Sequence, residues 1–231
     1  MRKARKLGRV RVFRRFAKYA SESHAVLCMN ISFAHEMVTN SNWVYVPYGV
    51  LRAARARLPM PEYADRTRSA IDGGLYGSFC DGRITYAALS TNGFGTDSYG
   101  PVHVRLNTRT IDFRATVYEG NTFRKEHYRE PRDIVGRLAS WEDRGRLAAV
   151  KAIEMICNDD NFDFENGLLS PGPDKMKDEY IEVHIYGSFD LNSVDGVSCT
   201  VDFAQARPIE QLMVQAIEDY VISRNIEWKT I

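Results

Sequence analysis

The stretch Tyr180-Ile-Glu-Val-His-Ile-Tyr-Gly-Ser-Phe-Asp190 decides how the chain is read. Ile181, Val183 and Ile185 alternate strictly with Glu182, His184 and Tyr186. Period two is the signature of a strand with one apolar and one polar face, and Gly187 ends it. A carboxylate, an imidazole and a phenol in one row, opposite three β-branched residues, fit the floor of a cleft. The same residues also suit a solvated sheet face, because short motifs are weak evidence on their own.

Three more segments share this alternation. Arg83, Thr85 and Ala87 face away from Ile84, Tyr86 and Ala88; Pro101, His103 and Arg105 face away from Val102, Val104 and Leu106; and Arg114, Thr116 and Tyr118 face away from Ala115 and Val117. If the apolar faces share one core, the arginine, threonine, histidine, tyrosine and glutamate side chains line a common cleft. Around these strands the pattern is helical. Val46, Val50, Leu51 and Ala54 predict a helix over 45–57, closed by Pro59 and Pro61, and a second is expected over 62–71, stopped by Gly73-Gly74. Pro131 opens a stripe of Ile134, Val135, Leu138 and Trp141, Gly145 interrupts it, and 147–156 resumes it. Residues 197–201 predict a last strand, and Pro208 opens a final helix carrying Leu212, Met213, Ala216, Ile217 and Tyr220. The stretch 26–38 is apolar without a clean period, so the first third reads as helical cover with loops.

A chain of 231 residues, 44% of them hydrophobic, is enough for one domain with a real core. There is no apolar run of membrane-spanning length and no signal-peptide pattern after the basic start. Cys28, Cys80, Cys157 and Cys199 lack C-x-x-C or zinc-like spacing and read as reduced thiols of a cytoplasmic protein. Asp159, Asp160, Asp163 and Glu165 lack the glycine and terminal glutamate of a calcium loop, so no metal is expected. Residues 1–18 carry nine Lys or Arg and no acid, which leaves 22 basic against 30 acidic groups beyond them, a body of about −8. Residues 1–20 therefore read as a basic arm ahead of a domain spanning 21–231. The arm suits phosphate backbones, acidic membranes or a transit peptide, or equally a first helix whose arginines rest on the acidic body.

Four pieces in order carry a family resemblance: Arg83-Ile-Thr-Tyr-Ala-Ala-Leu-Ser, Ser98-Tyr-Gly-Pro-Val-His-Val-Arg-Leu, Arg114-Ala-Thr-Val-Tyr-Glu-Gly-Asn-Thr and Tyr180-Ile-Glu-Val-His-Ile-Tyr-Gly. Over residues 72–190 they resemble bacterial toxin-type mono-ADP-ribosyltransferases, with His184 where that pattern has glutamine. The resemblance implies an α+β fold of two small, mainly antiparallel sheets around an NAD cleft, with helical cover. It implies a catalytic set of Glu182, Arg83 and Thr116. NAD, the co-substrate, would meet Arg83, Tyr86, His103, Thr116 and Thr122, with Thr116 and Thr122 alternatives for the serine or threonine position. His184 and Tyr186 would face the acceptor.

The expected activity is transfer of ADP-ribose to a macromolecule by a toxin, antiphage effector or phage-encoded modifier. The basic residues 2–18 favour a nucleic-acid acceptor, and an antitoxin or inhibitor protein is the partner a toxic enzyme requires. NAD hydrolysis and non-catalytic nucleic-acid binding are the alternatives.

Overall fold

A computed structural model describes residues 2–54, 62–122 and 137–230 and, over 62–68, the backbone alone. The strands are β1 His24–Met29, β2 Val44–Tyr45, β3 Ile84–Ser90, β4 Val102–Leu106, β5 Ala115–Tyr118, β6 Leu138–Ser140, β7 Leu169–Ser170, β8 Glu179–Tyr180, β9 Glu182–Tyr186, β10 Phe189–Asp190, β11 Val194–Cys199 and β12 Glu227–Thr230. The helices are α1 Arg2–Lys6, α2 Val10–Ser21, α3 Ile31–Thr39, α4 Tyr48–Ala53, α5 Glu62–Tyr76, α6 Thr108–Ile111, α7 Arg144–Lys151, α8 Ile153–Asn158, α9 Phe164–Leu168 and α10 Pro208–Ser223.

Eight strands form one sheet in the order β12-β11-β4-β1-β3-β9-β5-β6, beside two ribbons, β2 with β10 and β7 with β8. Neighbours in the large sheet are antiparallel except β11 and β12. That parallel pair is joined through α10, the helical crossover such a pair needs. The α+β class holds, but one large sheet replaces the two small ones expected. The cause is β1, which pairs with β3 on one side and β4 on the other and so joins the two halves. Its run His-Ala-Val-Leu-Cys-Met is buried on both faces and shows no alternation, which is why it read as part of an aperiodic stretch.

Residues paired across antiparallel strands point to the same side. The register therefore sorts the sheet into two faces. Val183 and Ile185, Thr85 and Ala87, Ala115 and Val117, Leu27, Val104 and Val197 share one face. All but Thr85 join a single apolar cluster with Phe13, Phe16 and Ala20 of α2, Met37 of α3, Leu147 and Ala148 of α7, and Val214, Ile217 and Val221 of α10. Each fully buried large side chain there contributes about 1.5–3 kcal/mol. Glu182 and His184, Tyr86 and Ala88, Thr116 and Tyr118, Val26, Cys28 and His103 lie on the other face. One expectation is reversed: Thr85 and Ala87 point into the core, whereas Ile84, Tyr86 and Ala88 share the face of Glu182.

Within residues 1–20, expected as an arm, lie α1 and nearly all of α2, and α2 is seated on the core through Phe13, Phe16 and Ala20. Helix α2 crosses α7 closely enough that a Cβ on Gly145 would lie 2.2 Å from the Ala17 carbonyl oxygen. Gly145 thus lies inside a helix and allows the crossing. Gly73-Gly74 does not stop α5, which runs on to Tyr76. Leu138, expected in a helix, lies in edge strand β6, and Trp141 is buried beyond it. Pro59, Pro61, Pro131, Ile134 and Val135 fall outside the described residues.

Candidate active site

Strand β9 sets Glu182 and His184 two residues apart, hence on one face, with Ala88 and Tyr118 flanking Glu182 and Tyr86 and Thr116 flanking His184. Glu182 Oε2 accepts hydrogen bonds from Thr122 Oγ1 at 2.5 Å and Thr122 N–H at 3.1 Å. His184 Nε2 lies 3.0 Å from the same oxygen. On the other side of the ring, His184 Nδ1 is 2.6 Å from the Tyr76 hydroxyl, which is 2.7 Å from Thr116 Oγ1. Thr116, Tyr76, His184 and Glu182 thus form one continuous hydrogen-bonded chain.

The relay is closed off from solvent: Glu182 is 0% exposed and His184 1%. Three phenol rings pack around the imidazole. Tyr118 stacks on it at 5.9 Å, and Tyr76 and Tyr86 meet it edge-on at 5.7 and 5.0 Å. The Tyr86 hydroxyl donates to Asp72, which also accepts from the Gly82 N–H at 3.2 Å. Burial raises the Tyr76 phenol above its ordinary value; the Thr116 hydrogen bond opposes this, and the charges of Glu182 and Asp72 add to it. Burial pushes the Tyr118 phenol up to about 12, with Glu119 and Glu182 adding to the shift. Both phenols therefore stay protonated near neutral pH.

The loop carrying Thr122 is anchored next door, where Asn121 Nδ2 donates to the backbone oxygens of Lys175 and Asp178 at 2.9 and 3.2 Å. Of the two threonines left open by the sequence, Thr122 bonds Glu182 directly and Thr116 reaches it through Tyr76 and His184.

The exposed Arg83 and the half-buried Tyr186 form a separate group at the other end of β9. The Arg83 guanidinium sits 4.6 Å over the Phe79 ring and reaches the Tyr186 hydroxyl at 3.3 Å, while Phe79 stacks on Tyr186 at 6.1 Å. Four residues along a strand set Tyr186 about 13 Å from Glu182. The Gly187 turn beyond it, at φ +84°, is clamped by Arg114, whose Nη1 donates to the carbonyls of Tyr186 and Ser188 at 2.9 and 2.7 Å.

His103 is not part of the Glu182 relay. It lies on β4, with β1 and β3 between it and β9, a separation of about 14 Å across three strand spacings. There Nδ1 accepts from Gly95 N–H at 2.9 Å and lies 3.3 Å from Cys28 Sγ, and Nε2 lies 3.1 Å from Asp97 Oδ1. Thr200 Oγ1 donates to the same Asp97 oxygen at 2.7 Å. The Gly95 backbone covers the thiol, since a Cβ at Gly95 would lie 2.2 Å from Cys28 Sγ. Burial pushes the Cys28 thiol up to about 12 and His103 below its ordinary value. An open cavity of about 540 Å³, lined by Thr200, Asp202, Phe203 and Thr230, adjoins Asp97 rather than Glu182.

Tyr76 and Asp72 are site residues that the sequence reading missed. Both lie on α5, four residues apart and so on one helix face, Asp72 just before and Tyr76 just beyond the glycines expected to end it. Among the described residues no group of three His, Cys, Asp or Glu is arranged to hold a metal, and no helix is long and apolar enough to cross a membrane. Asp163 instead caps α9, accepting from the Glu165 and Asn166 N–H groups. No protein-family model matches the chain, and no curated protein sequence is significantly similar to it.

Proposed function

We propose that the chain is an NAD-consuming enzyme of the ADP-ribosyltransferase kind, with Glu182 as its catalytic carboxylate. The observation that carries this reading is the fixing of Glu182 Oε2 by Thr122 and His184 on the polar face of the sheet. Cleaving the bond between nicotinamide and ribose moves the bonding pair onto the nicotinamide nitrogen and leaves positive charge on the ribose. That step calls for a preorganised negative group beside the anomeric carbon rather than a strong base. A carboxylate already oriented by Thr122 and His184 reorganises little as that charge develops. Both His184 nitrogens are engaged, so His184 orients Glu182 rather than taking a proton from the acceptor.

The exposed Arg83, five residues along β3 from the partner of Glu182 and so about 17 Å away at the backbone, supports a dinucleotide laid along β9. Its guanidinium suits the pyrophosphate, and the Phe79–Tyr186 stack offers aromatic faces to a base. Glu182 is sealed off, so on this reading NAD reaches it only when the groups that cover it withdraw.

NAD hydrolysis is the second reading, and two observations favour it. A fully buried carboxylate suits a small acceptor such as water. The basic α2, which in the sequence argued for a nucleic-acid acceptor, is packed on the other side of the sheet. Incubating the purified protein with adenine-labelled NAD and cell extract separates the two. Transfer predicts label in a macromolecule that nuclease or protease releases, and hydrolysis predicts free ADP-ribose alone. NAD left intact by the wild type would remove both.

A further inference from the structure

Helix α2 has one face in the core and one in solvent. Phe13, Phe16 and Ala20 are buried, whereas Arg11, Arg14, Arg15 and Lys18 are exposed at spacings of three, four and seven residues, which is one stripe along the helix. The stripe is about 10 Å long at 1.5 Å per residue. Arg2, Arg5 and Lys6 of α1 are exposed as well, and residues 1–21 contain no acid. Three of the acids nearby are already engaged: Glu154 pairs with Lys3, Asp160 with Arg9, and Asp163 caps α9. Arg15 rests over the Phe164 ring at 5.8 Å. Among the described residues, none has an ion pair with Arg11, Arg14 or Lys18.

From this we infer that the exposed face of α1 and α2 is a docking surface for nucleic acid, held through the phosphate backbone and separate from the Glu182 site. A run of cations on a rigid helix, borne by a body of opposite charge, complements a polyanion. A membrane-surface helix would need its apolar face free to enter the lipid, and here that face is in the protein core. Phosphate contacts of this kind give affinity without sequence choice. The sheet lies between this surface and Glu182, so docking and NAD chemistry are independent, and the inference stands without that chemistry.

The test is fluorescence anisotropy of the full chain with a labelled single-stranded RNA and a labelled DNA duplex across a sodium chloride series. The partner protein is the fourfold variant Arg11→Gln, Arg14→Gln, Arg15→Gln, Lys18→Gln. Glutamine matches Arg and Lys in helix propensity, and an unchanged melting curve certifies that α2 stays seated. Wild type is expected to bind at least one probe, with log K falling by about 0.9 per neutralised duplex phosphate for each tenfold rise in salt, somewhat less for the single strand. The variant is expected to flatten that slope by about 3 to 4 on a duplex and to weaken binding more than about 100-fold at 0.1 M salt. Glu182→Gln should bind like wild type. Binding that is absent, indifferent to salt or equal in the fourfold variant overturns the inference. So does capture by phosphatidylserine vesicles with no affinity for either nucleic acid, and so does a loss of binding in Glu182→Gln.

Discussion

Glu182 Oε2 receives Thr122 Oγ1, the Thr122 N–H and His184 Nε2 in a site with no exposed surface, so removing the carboxylate leaves buried donors unpaired. Glu182→Ala is expected to cost about 1–3 kcal/mol for each donor left unsatisfied. Glu182→Gln keeps an acceptor oxygen and should cost clearly less, as urea unfolding of the two variants would measure. At Cys28, a thiol pushed up to about 12 and covered by Gly95 should resist iodoacetamide at pH 8 in the folded protein and react once urea is added. Modification in the folded state at the rate of an exposed thiol would contradict that geometry. Glu182, His184 and Thr116 were legible in the sequence because period two alone places them on polar faces. Their link was not, since it runs through Tyr76, which belongs to a helix distant in sequence whose contact with the sheet no local pattern encodes.

Among the elements, the α2–α7 crossing depends on one missing side chain. A Cβ at Gly145 would meet the Ala17 carbonyl at 2.2 Å and Ser21 Cβ at 2.9 Å, so Gly145→Ala should force the helices apart and cost about 1–3 kcal/mol, read as a lowered melting temperature. Strands β3, β4, β5 and β9 were legible from alternation between a core-facing and a polar side. Strand β1 was hidden because both of its faces are covered. Strand β12, Glu-Trp-Lys-Thr, is too short and polar to stand out, and it becomes a strand only by pairing with β11. In the sequence Tyr86 lies opposite Arg83 and Thr85, on a side to which Ile84 and Ala88 lend an apolar character. Strands β9 and β1, on either side of β3, show that this face carries the polar network.

Over the whole molecule, one sheet separates an apolar face under helices from a polar face bearing two histidine clusters. Burial lowers His103 and His24 below their ordinary value of 6.5. Their contribution to stability is therefore complete above pH 6.5 and is lost as pH falls below it, because the unfolded chain takes up protons that the folded chain refuses. The urea midpoint should drop between pH 7 and pH 5, and by less in His103→Asn. The sequence foretold basic residues at the start and an acidic body. It could not tell that α2 would be seated across the sheet from Glu182, since that depends on which face Phe13 and Phe16 reach. The most direct test of the central claim is nicotinamide release from NAD by purified wild type and by Glu182→Gln of matched melting temperature. Release by the wild type, reduced about 100-fold or more in the variant, is the result expected for a preorganised carboxylate acting on the transition state. Equal release by both proteins, or none by the wild type, would contradict it.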